Sequence, residues 1–152
     1  MVACAFALAV MGACGFEPAF RAAGGASALI GTTQIQDPSD RDGFDFVRHL
    51  ETQLGAATQA RHVLDWSLSV RSEGIAITSA QETTRIDLIG TASYTLRELA
   101  SGQILQSGSV RGFTGYASSG ITAASRTDET SARGRLMVIL ADRVVTELLA
   151  GS

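Results

Sequence analysis

Three arginines fall in two neighbouring segments that have the residue pattern of β-strands. They are Arg85, Arg97 and Arg111. A guanidinium group binds a phosphate or a carboxylate through two parallel hydrogen bonds, so a cluster of these side chains would form an anion site. The alternative is that the arginines pair with Asp87 and Glu98 on a solvated sheet face. The sequence leaves both interpretations open.

The acidic residues and histidines form no recognised catalytic motif. The sequence lacks the motifs of serine hydrolases, zinc peptidases, dinucleotide-binding enzymes and P-loop NTPases, and it has no lysine for a Schiff base. His49 and His62 fall in different predicted elements, as ordinary surface histidines do. A cation site at Asp40, Asp42 and Asp45 is one interpretation, but helix N-termini favour acids through the dipole alone. We therefore expect no catalytic residues, metal or cofactor.

Cys14 follows an apolar run over residues 2–13. A membrane-spanning helix needs about 20 apolar residues, whereas a shorter run suits the hydrophobic region of a signal peptide. Gly12 and Ala13 give a peptidase access to the backbone, although Met11 replaces the usual leucine and no lysine or arginine precedes the run. The pattern predicts that residues 1–13 are a lipoprotein signal peptide, which is removed, and that Cys14 is lipidated. The alternative is an apolar segment packed in the core.

Composition limits the mature chain to one domain without disulfides. Removal of the signal peptide leaves 139 residues, too few for two domains of ordinary size. Twelve arginines against 15 acidic residues give a net charge of −3, so no basic field attracts nucleic acid. Cys4 leaves with the signal peptide, and no thiol then remains to pair. Residues 14–28, with Pro18 and Gly24-Gly25, are predicted to be a lipidated tether before a single α+β domain at 29–152.

Hydrophobic periodicity predicts the element order β-α-β-β-β-α. A first strand is expected over residues 29–36. A helix should follow, beginning at Ser39, which resembles a capping box with Asp42, and ending near Gly55. The apolar stripe of this helix consists of Val47, Leu50, Leu54 and either Phe44 or Phe46. A half-buried strand then begins at residue 63, where Leu64, Trp66, Leu68 and Val70 alternate with polar residues.

Two further strands are predicted over residues 85–96 and 103–116, joined by a turn at Ser101-Gly102. Glycines at positions 108, 112 and 115 indicate a bulge or the close approach of another segment. After a loop at 117–125, a closing helix begins near Asp128 and continues through Leu148. The predicted fold is a two-layer α+β sandwich, in which two helices pack on one face of a mostly antiparallel four-stranded sheet.

Three stretches of the sequence carry a family resemblance. They are residues 14–20 (Cys-Gly-Phe-Glu-Pro-Ala-Phe), the hairpin at 85–108 and the segment 135–142. Together they resemble the LptE family of lipopolysaccharide-assembly lipoproteins, particularly the short forms of alphaproteobacteria. Ala19 and Phe20 replace the Leu and Tyr that are usual in the family.

The resemblance implies an outer-membrane lipoprotein, anchored on the periplasmic side through Cys14. Such a protein plugs the lumen of the β-barrel LptD, helps that barrel to assemble and aids lipopolysaccharide transport to the cell surface. The implied role is binding rather than catalysis, and the implied partners are an LptD-like barrel, lipopolysaccharide and the membrane. Arg85, Arg97 and Arg111 would then meet the phosphates of lipid A.

Two other functions remain open at this stage. One is a different periplasmic lipoprotein of similar build, such as an auxiliary subunit of a lipid transporter. The other is a small hydrolase or carbohydrate-binding enzyme attached to the envelope. Its only support in the sequence is the presence of the acidic residues and the two histidines.

Overall fold

The computed structural model describes residues 28–77, 83–117 and 123–151. Its elements are β1 (Thr33–Ile35), α1 (Arg41–Leu54), β2 (His62–Ile77), β3 (Thr83–Glu98), β4 (Ile104–Ala117) and α2 (Ala123–Gly151). This order is the predicted one. The predicted signal peptide, the lipidation site Cys14 and the tether up to residue 27 lie outside the described residues. Within the described ranges, neither helix combines the length and the apolar composition needed to cross a membrane.

The four strands form one sheet in the order β1-β2-β3-β4. Strand β1 pairs in parallel with the start of β2, whereas β2, β3 and β4 form an antiparallel meander. Both helices lie on the same face: α2 packs against β3 and β4, and α1 packs against α2 and β1. The α+β two-layer sandwich predicted from the sequence is thereby confirmed.

Helix α1 begins at a different cap from the one predicted. The side chain of Asp40, rather than Ser39, accepts a hydrogen bond from the backbone N–H of Gly43 at 2.7 Å. Gly55 ends the helix in the left-handed region, with φ at 75°. Phe46 completes the buried stripe, where its ring lies 5.3 Å from that of Trp66, whereas Phe44 is exposed.

Strand β1 and helix α2 depart most from their predicted bounds. Strand β1 has three residues because the buried Leu29 is helical and residues 30–32 form a turn, in which the N–H of Thr32 donates to the Leu29 carbonyl. Helix α2 begins at Ala123, so Asp128 does not lie in the first turn, where the helix dipole favours acids most. Apolar periodicity predicts which part of each helix or strand packs in the core. The first and last residues of each element depend on backbone hydrogen bonds, which the periodicity does not predict.

The core lies between the helices and the sheet. The predicted stripe of α2 is buried: Leu136, Leu140, Val144 and Leu148. It meets the buried alternate residues of the strands, including Leu64, Leu88, Ala92 and Leu96. Side chains at positions 90 and 112 would lie 2.9–3.0 Å from residues of α2, so Gly90 and Gly112 allow the helix to approach the sheet closely.

The β3–β4 hairpin contains a turn and a bulge. Gly102 has φ at 72°, and its N–H donates to the carbonyl of Glu98 at 2.8 Å. Pairing then shifts by one residue, since Leu96 faces Gln106 whereas Arg97 faces Ile104. The bulge therefore lies at Leu105, at the start of β4, and not at the glycines.

Candidate functional site

The face of the sheet that points away from the helices, called here the open face, carries mostly small polar side chains. At its centre, one row across β2, β3 and β4 consists of Ser67, Ser93 and Ser109. The hydroxyl of Ser93 lies 3.4 Å from that of Ser109. Such a row can form hydrogen bonds with water or with a partner, and it supplies little apolar surface for a further layer.

The three predicted arginines lie on the open face but are widely spread. Arg85 lies near one end of β3, facing Ala117, and Arg97 lies near the other end, facing Ile104. Twelve residues of extended strand separate these two arginines by about 40 Å. Arg111 lies between them, opposite Thr91. The structure therefore does not bring the three guanidinium groups together in one cluster.

Two of these arginines form ion pairs. Arg85 Nε lies 3.2 Å from Asp87 Oδ1, two residues along the same strand. Arg97 pairs across strands with Asp65, whereas Glu98 accepts a hydrogen bond from Ser101. The predicted pairing with Asp87 is present, but Asp65 takes the role expected for Glu98. Surface pairs of this kind contribute at most about 1 kcal/mol, so they leave the arginines available to a stronger anion.

Arg111 differs from the other two because its guanidinium has no acidic partner among the described residues. Arg71 on β2 lies two strands away from Arg111 and one row farther along the open face. The usual spacings of a sheet put the two Cα atoms roughly 12 Å apart. From α2, Arg143 Nη1 donates to the carbonyl of Arg111 at 2.6 Å. Arg71 is paired with Glu73 at 3.1 Å, whereas Arg143, like Arg111, has no carboxylate partner among the described residues.

Two apolar side chains lie beside these cations. Ile89 faces Arg71 on one side and Phe113 on the other, and Phe113 is 69% exposed. We call Arg71, Ile89, Arg111 and Phe113 the arginine–phenylalanine patch. An apolar centre flanked by guanidinium groups matches an amphipathic anion, which presents acyl chains beside phosphate or carboxylate.

No motif in the sequence singles out Arg71, Phe113 or Arg143. Arg71 occupies a polar position of the period-two pattern in β2, so strand parity alone assigns it to the open face. Phe113 likewise falls at an open-face position of the period-two pattern in β4. Its place in that pattern does not show what an exposed aromatic side chain does there. Arg143 reaches the sheet only because α2 packs along β4, and no local pattern contains that information.

The two histidines form structural contacts. His49 Nε2 lies 3.1 Å from Asp142 Oδ1, which links α1 to α2, and Gln53 donates to the same oxygen at 2.6 Å. His62 Nδ1 lies 3.4 Å from the hydroxyl of Thr32 at the start of the sheet. The described ranges contain no group of three His, Cys, Asp or Glu side chains arranged to hold a metal ion.

The three aspartates near the start of α1 each have a separate contact. Asp40 caps the helix, and Asp45 pairs with Arg48 at 3.3 Å. Asp42 accepts a hydrogen bond from Arg133 at 2.9 Å, and Arg133 also bonds Glu129. Burial by itself would lower the pKa of Arg133, but these two carboxylates outweigh it and raise the pKa. Only Asp42 thus links the two helices, and the three carboxylates point to separate partners rather than to one cation.

A family model described as LptE, lipopolysaccharide-assembly, matches residues 30–148. The chain belongs to the LptE family. The match begins just before β1 and ends at residue 148, so it includes the four described strands, all of α1 and α2 except its last three residues. This is a non-enzymatic lipoprotein family that works in lipopolysaccharide transport. The resemblance stated from the sequence is confirmed.

Solved structures share the fold at low sequence identity. One from Caulobacter crescentus CB15, described as that of a lipoprotein, has a TM-score of 0.69 and 15% identity, covering 84% of this chain and 94% of its own. Rare lipoprotein B from Shewanella oneidensis has a TM-score of 0.58 and 14% identity, over 78% of this chain and 92% of its own. Lipoprotein B from Nitrosomonas europaea has a TM-score of 0.59 and 12% identity, over 78% and 82%. No curated protein matches the sequence significantly.

Proposed function

We propose that this protein is an outer-membrane lipoprotein, lipidated at Cys14, that plugs an LptD-like β-barrel and assists lipopolysaccharide transport to the cell surface. The observation that carries the proposal is the family match over nearly the whole folded domain. The molecule acts by binding: its two helices cover one face of the sheet, and the open face is left for partners.

The open face supports this role through its chemistry. Rows of serine and threonine give a polar surface that stays soluble before assembly and offers hydrogen bonds to the polar lumen of a barrel. A plug also needs rigidity, which the long antiparallel strands and the glycine-mediated contact with α2 provide. The polar surface and the rigid scaffold together suit a protein that stabilises a larger partner.

Depletion of the protein tests the proposed function most directly. We expect less lipopolysaccharide at the cell surface and less mature LptD-like barrel, and we expect both to recover when the wild-type gene is restored. The control is depletion of an unrelated outer-membrane lipoprotein, which should change neither quantity. Normal surface lipopolysaccharide and normal barrel maturation after depletion would reject the proposal.

Co-purification separates this function from the rival lipoprotein role. The tagged full chain, extracted in mild detergent, should recover a barrel of the size of LptD in a stoichiometric complex. Reproducible recovery of inner-membrane transporter subunits in its place would favour an auxiliary subunit of a lipid transporter. A Cys14→Ser variant should lose membrane attachment, and mass spectrometry should find the acyl chains on Cys14 of the wild-type protein.

We further propose that Arg85, Arg97 and Arg111 meet lipopolysaccharide phosphates, with Arg111 the strongest contact because no carboxylate of the described residues pairs with it. Arg85→Glu combined with Arg111→Glu should weaken lipopolysaccharide binding about tenfold or more. The matched control is Arg48→Glu, since Arg48 is an exposed arginine on α1, 70% accessible and paired with Asp45. Unchanged binding in the double variant, with the fold intact, would remove the arginines from the site.

A further inference from the structure

One end of the domain, called here the base, collects exposed aliphatic side chains. Four of the eight large apolar residues that are exposed in the described part of the chain lie there: Ile30, Leu99, Ile104 and Leu105. Their exposed fractions lie between 48% and 59%. We propose that, before a barrel partner encloses the domain, the base docks onto the phospholipid surface of the membrane that carries the lipid anchor, as a second contact besides the anchor.

Hydrogen bonds hold these residues at one end of the molecule. The N–H of Arg61 donates to the carbonyl of Thr32 at 2.8 Å, two residues after Ile30. The N–H of Leu99 donates to the carbonyl of Arg61 at 2.7 Å. Ile104 follows the hairpin turn and pairs with Arg97. The aliphatic side chains thus project from connected backbone segments rather than from scattered loops.

The bulge at Leu105 adds to this surface. Without the extra residue, successive side chains of β4 would alternate between the core face and the open face. With it, both Ile104 and Leu105 are exposed at the start of the strand. Arg61 is exposed at the same end and adds a cation suited to anionic phospholipid headgroups. Aliphatic residues beside an arginine are typical of surfaces that lie in a membrane interface.

The position of the chain terminus identifies the bilayer as the occupant. The described chain begins at the base, where the hydroxyl of Thr32 donates to the carbonyl of Ala28. Thirteen residues, 15–27, separate Cys14 from Ala28. Covalent geometry limits that connection to about 50 Å even when fully extended. An anchor at Cys14 therefore keeps the base near the bilayer, where a high effective concentration makes even a weak contact populated.

This inference rests on the proposed lipidation of Cys14 but goes beyond it, since an anchor alone leaves the orientation of the domain free. In this state, before the barrel is bound, burial of the aliphatic side chains would fix the base toward the membrane and leave the arginine–phenylalanine patch, farther along the sheet, exposed to an arriving partner. The docked orientation would then present the open face to partners in one defined direction.

The test uses the full chain, produced as a processed lipoprotein, with one added thiol at Leu105→Cys or, as the matched control, at Phe113→Cys. Both positions are exposed and lie on β4, eight residues apart. Each variant is labelled with an environment-sensitive fluorophore, checked by circular dichroism and reconstituted into phosphatidylethanolamine–phosphatidylglycerol vesicles that contain nitroxide-labelled lipid. We expect at least twofold greater quenching at position 105 than at position 113.

The outcomes separate the docking contact from the anchor. Equal quenching at the two positions, or none, in protein that floats with the vesicles would overturn the docking while leaving the anchor intact. Protein that fails to float, with Cys14 free to react with the fluorophore, would overturn the anchor and with it this inference. Stronger quenching at position 105 in floating protein supports both.

Discussion

The two faces of the sheet have opposite compositions, although the same three strands form both. On the covered face, Leu88, Ala92 and Leu96 are fully or nearly buried against the helices. On the open face, the neighbouring residues of the same strand are small and polar, as in the row that contains Ser93. Strand pleating allows both, because side chains alternate between the faces. Apolar alternation therefore specifies the core, while the intervening residues remain free to vary with function.

The faces also differ in how they tolerate a change. The covered face is close-packed, so the loss or gain of a methyl group changes many contacts. The open face has solvent above it, and an altered side chain can rotate away. The difference teaches that stability and partner binding are separable in this molecule, so a variant of the open face should change function without unfolding the domain.

Truncation of a core leucine should give the largest effect. Leu140→Ala removes a fully buried side chain of α2 and should lower the free energy of unfolding by about 2–5 kcal/mol. Phe113→Ala removes a larger side chain from the open face, but its cost should stay below about 1 kcal/mol because that ring is mostly exposed. Urea unfolding followed by circular dichroism measures both. Equal losses would contradict an uncovered open face.

An added methyl group should distinguish the faces at a smaller scale. A Cβ at Gly90 would lie 2.9 Å from Leu140 Cδ1 and 3.0 Å from Leu136 Cδ2, so Gly90→Ala should cost about 1–3 kcal/mol. A Cβ at Gly115 would meet Asp87 Oδ1 at 2.5 Å, but a carboxylate on the open face can rotate. Gly115→Ala should therefore cost less than about 1 kcal/mol, equivalent to the loss of a surface ion pair. The same unfolding measurement compares the two variants, and a costlier Gly115→Ala would reverse the comparison.

The smallest effect concerns a polar contact at the covered face. Tyr94 donates to Glu147 on α2 at 2.8 Å, and Tyr94→Phe should cost about 1 kcal/mol near neutral pH. Burial, together with the bond and charge of Glu147, raises the pKa of Tyr94 from 10.0 to about 12. The protonated phenol is therefore favoured in the folded state. Its stabilising contribution is complete below pH 10 and is lost as the pH rises toward 12.

Unfolding measured from pH 8 to 12 checks this prediction. The stability difference between wild type and Tyr94→Phe should shrink over the upper two pH units, because only the wild type loses a bond when the phenol ionises. Ser93→Ala, the neighbouring change on the open face, serves as the control and should show no such convergence. A constant difference for Tyr94→Phe would show that ionisation of this phenol does not affect folding.

Much of the architecture could be predicted from the sequence because the apolar residues are periodic. Leu136, Leu140, Val144 and Leu148 repeat every four residues, and all four are buried as predicted. The prediction of the helix N-cap was wrong because two neighbouring residues are both suited to that position. Ser39 and Asp40 are both good N-cap residues, and only the backbone path shows that Asp40 bonds the N–H of Gly43.

The candidate site was less predictable than the fold. The sequence pattern placed Arg85, Arg97 and Arg111 in the hairpin, but an anion site requires that their guanidinium groups lie close together. Each residue of an extended strand adds about 3.3 Å, so arginines far apart in a strand are also far apart in space. The combination of Arg111 with Arg71 and Phe113 depends on the register between three strands. Register is a tertiary property, set by the packing of one face and the turns, and it decides which residues of the other face become neighbours.

The sequence by itself determined the element order, the buried stripe of each helix and the family, because periodic apolar residues must share a face and the matched pattern spans the domain. Only the tertiary structure decided which of the three predicted arginines lacks a carboxylate partner among the described residues, which end of the domain gathers exposed aliphatic residues and how α2 reaches the edge of β4. The physical reason is the range of the interactions. Periodicity and capping act over a few residues, whereas surface patches form from residues that only strand register and helix packing bring together.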